Sequence, residues 1–187
     1  MRRFASMGSC LLLLALVAVG CGDDPFQIDW SENPLEAELF ALDREELNRP
    51  SAFDMLQRRR VVVESAQSQG QWDFAVDRLD GQLVLLPPRA LGVDSRAGIA
   101  PVPGVTFEEL RDAPADSALY VTREAVPVEY GMVYAVQTRQ QTGRFGQRCR
   151  YYGKLEAVRI DQEAGVLIFL HDTSPECNSR RLVPPGG

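Results

Sequence analysis

Few side chains in this chain have types and spacing that suit chemistry. Its only histidine, His171, sits beside Asp172 and shortly before Ser174. Histidine, carboxylate and hydroxyl are the groups of an acyl-transfer relay. Neighbours along an extended strand point to opposite faces, however, so His171 and Asp172 make a poor relay and His171 reads as a strand-end residue. Asp73 and Asp77 offer two carboxylates, the raw material of glycoside hydrolysis, but their spacing is that of a solvated strand face. The chain has no P-loop, nucleophile elbow, zinc-protease helix or dinucleotide fingerprint. A carboxylate-based hydrolase is the enzymatic alternative that remains, and catalytic residues are not assigned.

The four cysteines divide by position. Arg2 and Arg3 precede an apolar run from Cys10 to Val19, the charge and length pattern of a signal peptide and too short for a membrane span. Ala18-Val19-Gly20-Cys21 then resembles the lipobox of bacterial lipoproteins. The resemblance implies that residues 1–20 are removed and that Cys21 becomes an acylated first residue. It also implies a cell-envelope address. Gly22 rather than aspartate after that cysteine points to the outer membrane, on its periplasmic or surface side. Cys10 is lost with the signal. Cys149 and Cys177 remain, in an oxidising compartment where a disulfide is expected. With His171 they make an incomplete ligand set for structural zinc, so no metal is expected.

Charge narrows the partners. The whole chain carries 20 basic and 26 acidic side chains. Residues 21–187 carry a net of −8, which argues against nucleic acid. The charge is segregated. Residues 23–48 hold nine acids and one arginine, whereas residues 139–159 have a net of +5. The two segments either face each other or serve separately. In the second case Arg144, Arg148, Arg150 and Lys154 form an anion-binding surface, because arginine forks suit carboxylates and phosphates. Tyr151, Tyr152 and Phe145 supply flat apolar faces there. An anionic small molecule or an envelope protein is the expected partner, besides the membrane reached through the lipid anchor.

These residues need elements to position them. Residues 22–32 read as an acidic tether. Asn33, Pro34 and Glu36 are helix-start signals, and Leu35, Leu39, Phe40 and Leu42 mark one side of a helix running to about Leu47. Ser51 and Asp54 cap a second short turn to about Leu56. From Arg60 the chain turns β-branched. "VVVES" (61–65), "QWDFAVDRL" (71–79) and "QLVLL" (82–86) read as strands, with Trp72, Phe74 and Val76 on one face. Asp80-Gly81 marks a type I′ hairpin. Residues 87–105 hold four prolines and read as a long surface loop. Thr106 and Glu109 cap a short helix, and "SALYVT" (117–122) is a further strand. "MVYAVQTRQ" (132–140), "CRYYGKLEAVRI" (149–160) and "VLIFLH" (166–171) form a three-stranded antiparallel meander. Its last strand is apolar on both faces and is expected to lie centrally or under a helix. A turn at 161–164 makes paired residue numbers sum to about 325 or 326, which sets Cys149 opposite Cys177.

"WDFAV" (72–76), "VYAVQTR" (133–139) and "YYGKLEAVRI" (151–160) resemble the HmuY-type lipoproteins, lipid-anchored β-rich haem-binding proteins. The resemblance covers two short blocks. It implies a fold around one sheet and a haem role. The best-known member uses two histidines for haem. With one histidine here, a mixed His171–Met132 ligand pair is the remaining form of that role.

The sequence therefore predicts a mainly β (α+β) chain with one or two short N-terminal helices. Residues 1–20 are the signal, 21–32 the lipidated cysteine and tether, and 33–187 a single β-rich domain. That domain is expected to bind a ligand or partner without catalysis, with no resident cofactor beyond the haem possibility. A structural surface lipoprotein without a small ligand is the alternative.

Overall fold

The computed structural model describes residue 30, residues 33–68 and residues 70–185. The signal, Cys21 and most of the tether lie outside the described residues. Within them the chain is mainly β, built from antiparallel sheets. In chain order the strands are β1 (Leu35–Phe40), β2 (Ala52–Asp54), β3 (Arg59–Val61), β4 (Phe74–Leu79), β5 (Gln82–Leu86), β6 (Gly98–Val102), β7 (Val126–Pro127), β8 (Val133–Gln137), β9 (Gln141–Thr142), β10 (Arg148–Cys149), β11 (Tyr152–Asp161) and β12 (Val166–Thr173). Three short 3-10 turns are the helical content among the described residues.

Two five-stranded sheets pack face to face. One runs β1-β12-β11-β8-β6 and the other β3-β2-β4-β5-β7. Their inner faces share one core: Leu39, Tyr134, Val136, Leu155, Leu167 and Phe169 from the first meet Phe53, Phe74, Val76, Leu83 and Leu85 from the second. Phe169 stands edge-on to both Phe53 and Phe74, with ring centres 5.2 and 5.7 Å apart. A sandwich thus replaces the single sheet implied by the HmuY-type resemblance. The outer face of the first sheet is also covered. Phe107, Leu110, Ala113, Tyr120 and Leu182 pack there against Ala100, Val133 and Ala135.

The meander is present as β8, β11 and β12, with the small β9–β10 hairpin inserted after β8. β12 is central, between β1 and β11. Paired numbers in β11–β12 sum to 326 from Gly153–Thr173 to Ala157–Phe169, then to 327 beyond a bulge at Val158. Cys149 and Cys177 are bonded, with their Cα atoms 5.0 Å apart. The Asp80-Gly81 turn joins β4 to β5, with φ of 51° and 81°, the positive values a type I′ turn requires.

Five local expectations are corrected. The helix expected over 33–47 is β1, paired along its whole length with β12. Its Leu35, Ala37 and Leu39 alternate with Glu36, Glu38 and Phe40, and sheet pairing overrides the helix propensity of leucine, alanine and glutamate. The short turn expected at 51–56 begins instead with β2. The proline-rich loop contains β6, whose Ile99 and Ala100 are buried, as is the preceding Ala97. Pro101 is tolerated there because β6 closes one end of its sheet. The strand expected at 117–122 is a 3-10 turn followed by a single bridge from Val121 to Ile99. At 106–109 the capping box forms, with Thr106 N donating to Glu109 Oε2 and Glu109 N donating to Thr106 Oγ1, but it closes one turn and not a helix.

Candidate functional site

The basic segment 139–159 does not act as one surface. Arg139 follows β8 and turns inward. Its Nη2 donates to Asp54 Oδ2 at 2.9 Å, and its Nη1 donates to Asp73 Oδ1 at 3.1 Å. Lys154 lies on the outer face of β11 and is 3% exposed. Its Nζ donates to the carbonyls of Phe107 and Leu110 and sits 4.4 Å from the Phe107 ring centre. Burial lowers its pKa. Tyr152 packs nearby, 6.2 Å from the Tyr120 ring. Arg150 Nη1 donates to Gln137 Oε1, and its backbone N–H donates to Asn178 Oδ1. Arg144 and Arg148 are exposed on the β9–β10 hairpin. The acidic segment pairs elsewhere, Asp43 with Arg78.

Asp73 and Asp77 are not a solvated pair. Trp72 precedes the ladder and joins a small cluster with Ala52, Val61 and Ala75, while Phe74 and Val76 enter the main core. Asp73 is fully buried. It accepts from Met55 N and Arg139 N, both at 2.8 Å. Burial pushes its carboxyl up to about 6, against the pull of Arg139 and the two N–H donors. The neighbouring buried carboxylate, Asp54, shares the same guanidinium. Two carboxylates clamped on one cation leave no room for a sugar between them, unlike a hydrolytic pair.

His171 is 2% exposed. In register it lies between Leu35 of β1 and Leu155 of β11, and its ring centre is 4.6 Å from that of Phe53. Desolvation, then the nearby charge of Arg58, lowers its pKa to about 4. The imidazole is therefore neutral near pH 7. Asp172 points to the opposite face beside Lys154, and Ser174 bonds locally, so the three do not form a relay. Met132 packs on the core next to β8, where Gly131 N donates to Ala157 O. The register thus places Met132 two strands and two residues from His171, roughly 12 Å. Met132 is packed against the core and does not line the cavity beside His171.

What the sequence reading did not single out is the cleft beside His171. β1 ends the first sheet and β3 ends the second, and a cavity of about 720 Å³ opens between these edges. Leu35, Ala37, Phe53 and Ile168 supply its apolar lining, Arg58, Arg59 and Arg60 a basic wall, Glu36 and Glu38 two carboxylates, and His171 its base; Arg58 also pairs with Asp172 and Arg59 with Asp54, each at 3.5 Å. His171 Nδ1 is buried and has no hydrogen-bond partner among the described residues. Buried polar atoms are rarely left so, and each asks for an explanation. Arg60 stands opposite Phe53 and so shares its inward face. Arg58 holds φ of 48°, a conformation that costs a non-glycine residue about 1 kcal/mol. The β2–β3 turn fixes it there, with Arg58 N donating to Met55 O and its Nη2 to Thr173 O. The only early signal was the run Arg58-Arg59-Arg60 entering an apolar strand.

Among the described residues no cluster of acidic, cysteine or histidine side chains could hold a metal, and no helix is long and apolar enough to cross a membrane. Compared with protein-family models and with curated proteins, the chain matches none.

Proposed function

We propose that the chain is a lipid-anchored protein of the bacterial envelope, held at the outer membrane through Cys21, whose β domain binds an anionic, partly flat ligand without transforming it. The reading moves the anion site from the 139–159 segment to the β1–β3 cleft. One observation carries it: a buried imidazole with an unpartnered Nδ1 at the base of a cleft where Arg58, Arg59 and Arg60 outnumber Glu36 and Glu38. Phe53 and Leu35 give a flat apolar contact, and arginine forks give charge and direction. The neutral imidazole supplies a hydrogen bond. The imidazole itself packs against the Phe53 and Phe169 rings, which favours binding over turnover.

A single histidine makes the test direct. The ring protons of His171 are followed by NMR while 2-naphthoate is added. Binding in the cleft shifts these signals and raises the pKa above about 4, because a nearby anion favours the imidazolium. Arg60→Ser weakens the effect about tenfold. Signals that stay unmoved by naphthoate and by benzenesulfonate reject the cleft as an anion site.

A further inference from the structure

The β9–β10 hairpin carries an observation that the cleft does not use. Its tip, residues 143–147, projects Phe145 with 74% of its surface exposed, between the exposed Arg144 and Arg148. Single exposed apolar side chains are ordinary. This one is held rigidly on display. Gly143 N donates to Gln147 O at 2.8 Å, Gly146 N to Gly143 O at 3.0 Å, and Phe145 N to Gln147 Oε1 at 2.9 Å. Gly146 adopts φ of 78°, and a Cβ on Gly143 would run into Cys149 Sγ. The disulfide to Cys177 closes the base. The loop conformation is therefore set before any partner arrives, which removes most of the ordering cost of a contact.

We infer that this tip docks on an anionic lipid surface, with the Phe145 ring entering the headgroup layer and Arg144 and Arg148 meeting phosphates. Aromatic side chains settle at membrane–water interfaces, and arginines gain from anionic headgroups. The alternative, an acidic protein, is disfavoured by size. One ring and two guanidiniums offer far less than the roughly 1,000 Å² that a specific protein interface needs. A membrane needs no pocket. The rest of the domain carries a net negative charge, which favours contact through the tip. The inference stands apart from the cleft and does not require the acyl chain.

The test uses the chain from Gly22 onward, which holds every strand and the bridge described above, and so carries no lipid. Sedimentation with vesicles of equal parts phosphatidylglycerol and phosphatidylethanolamine is compared with phosphatidylcholine vesicles. The protein should sediment with the anionic vesicles and be released by salt. Phe145→Ser and the double variant Arg144→Ser/Arg148→Ser should each reduce the bound fraction roughly fivefold or more. Arg123→Ser, outside the hairpin, should leave it unchanged. Equal sedimentation of all variants, or no preference for the anionic vesicles, overturns the inference. Capture by polyglutamate without vesicle binding also overturns it, and assigns the tip to an acidic protein instead.

Discussion

Arg139 bridges Asp73 and Asp54 at the end of the sandwich, tying the segment just after β8 in one sheet to the end of β2 and the residue before β4 in the other. Both carboxylates have no exposed side-chain surface, and the arginine has 15%. Such a triad stabilises little against an apolar replacement, but losing Arg139 leaves Asp73 buried without a counter-charge and Asp54 with only the half-exposed Arg59 at 3.5 Å. Arg139→Ala should therefore cost about 3–5 kcal/mol in urea unfolding. Asp54→Asn/Asp73→Asn/Arg139→Met together should cost markedly less. A single variant that unfolds like the wild type would show that water already reaches the carboxylates.

Lys154 is the only lysine, and its ammonium holds two carbonyls of the segment that covers the outer face of the first sheet. Lys154→Met keeps the packing and removes the donors. It should cost about 1–3 kcal/mol and raise amide exchange selectively across residues 105–113. Uniform exchange changes would place the loss in global stability instead.

His171 and Asp73 give opposing pH dependences. Unfolded, His171 titrates near 6.5; folded, it titrates near 4. The unfolded chain thus binds more protons in this window, and its contribution is full above 6.5 and is lost as pH falls towards 4. Asp73, pushed up to about 6, binds its proton more readily when folded. Its contribution is full below about 4 and is lost as pH rises through 6. The two partly offset each other in wild type. Replacing His171 with leucine removes one of them. The wild-type-minus-variant difference should grow by on the order of 2–3 kcal/mol from pH 4 to 7, measured by denaturant unfolding at each pH. A flat difference would mean that the imidazole stays solvated.

The disulfide pins the tail that crosses the 111–113 segment, where Ala113 N donates to Arg180 O and Leu182 N to Arg111 O. Cys149→Ser/Cys177→Ser should lower stability by about 3 kcal/mol on loop-entropy grounds, with amide protection lost first at Ala113 and Leu182. Retained protection at these amides would show that strand pairing alone holds the tail.

For the proposed anchor, Cys21→Ser should abolish metabolic incorporation of labelled fatty acid. Continued labelling would contradict the lipobox reading.

The C-terminal half was legible because its signals are local. The β11–β12 turn and alternation set a register that reaches the cysteines, and the Asp80-Gly81 hairpin needs only two residues. β1 was not legible, because "LEAELF" satisfies helix and strand spacing alike and only the partner β12 decides. β6 was hidden by Pro101, which an edge strand accepts. The cleft was hidden for a related reason. His171, Phe53 and Arg60 come from three strands in two sheets, and no spacing along the chain brings them together. Lys154 and Arg139 looked like surface charge until the elements covering them were in place.

β1 and β12, the first and last strands, are direct neighbours, with Leu35 opposite His171. The first sheet cannot close until the final strand has been made. Pairing the two ends of the chain requires contacts of large sequence separation, which slows folding.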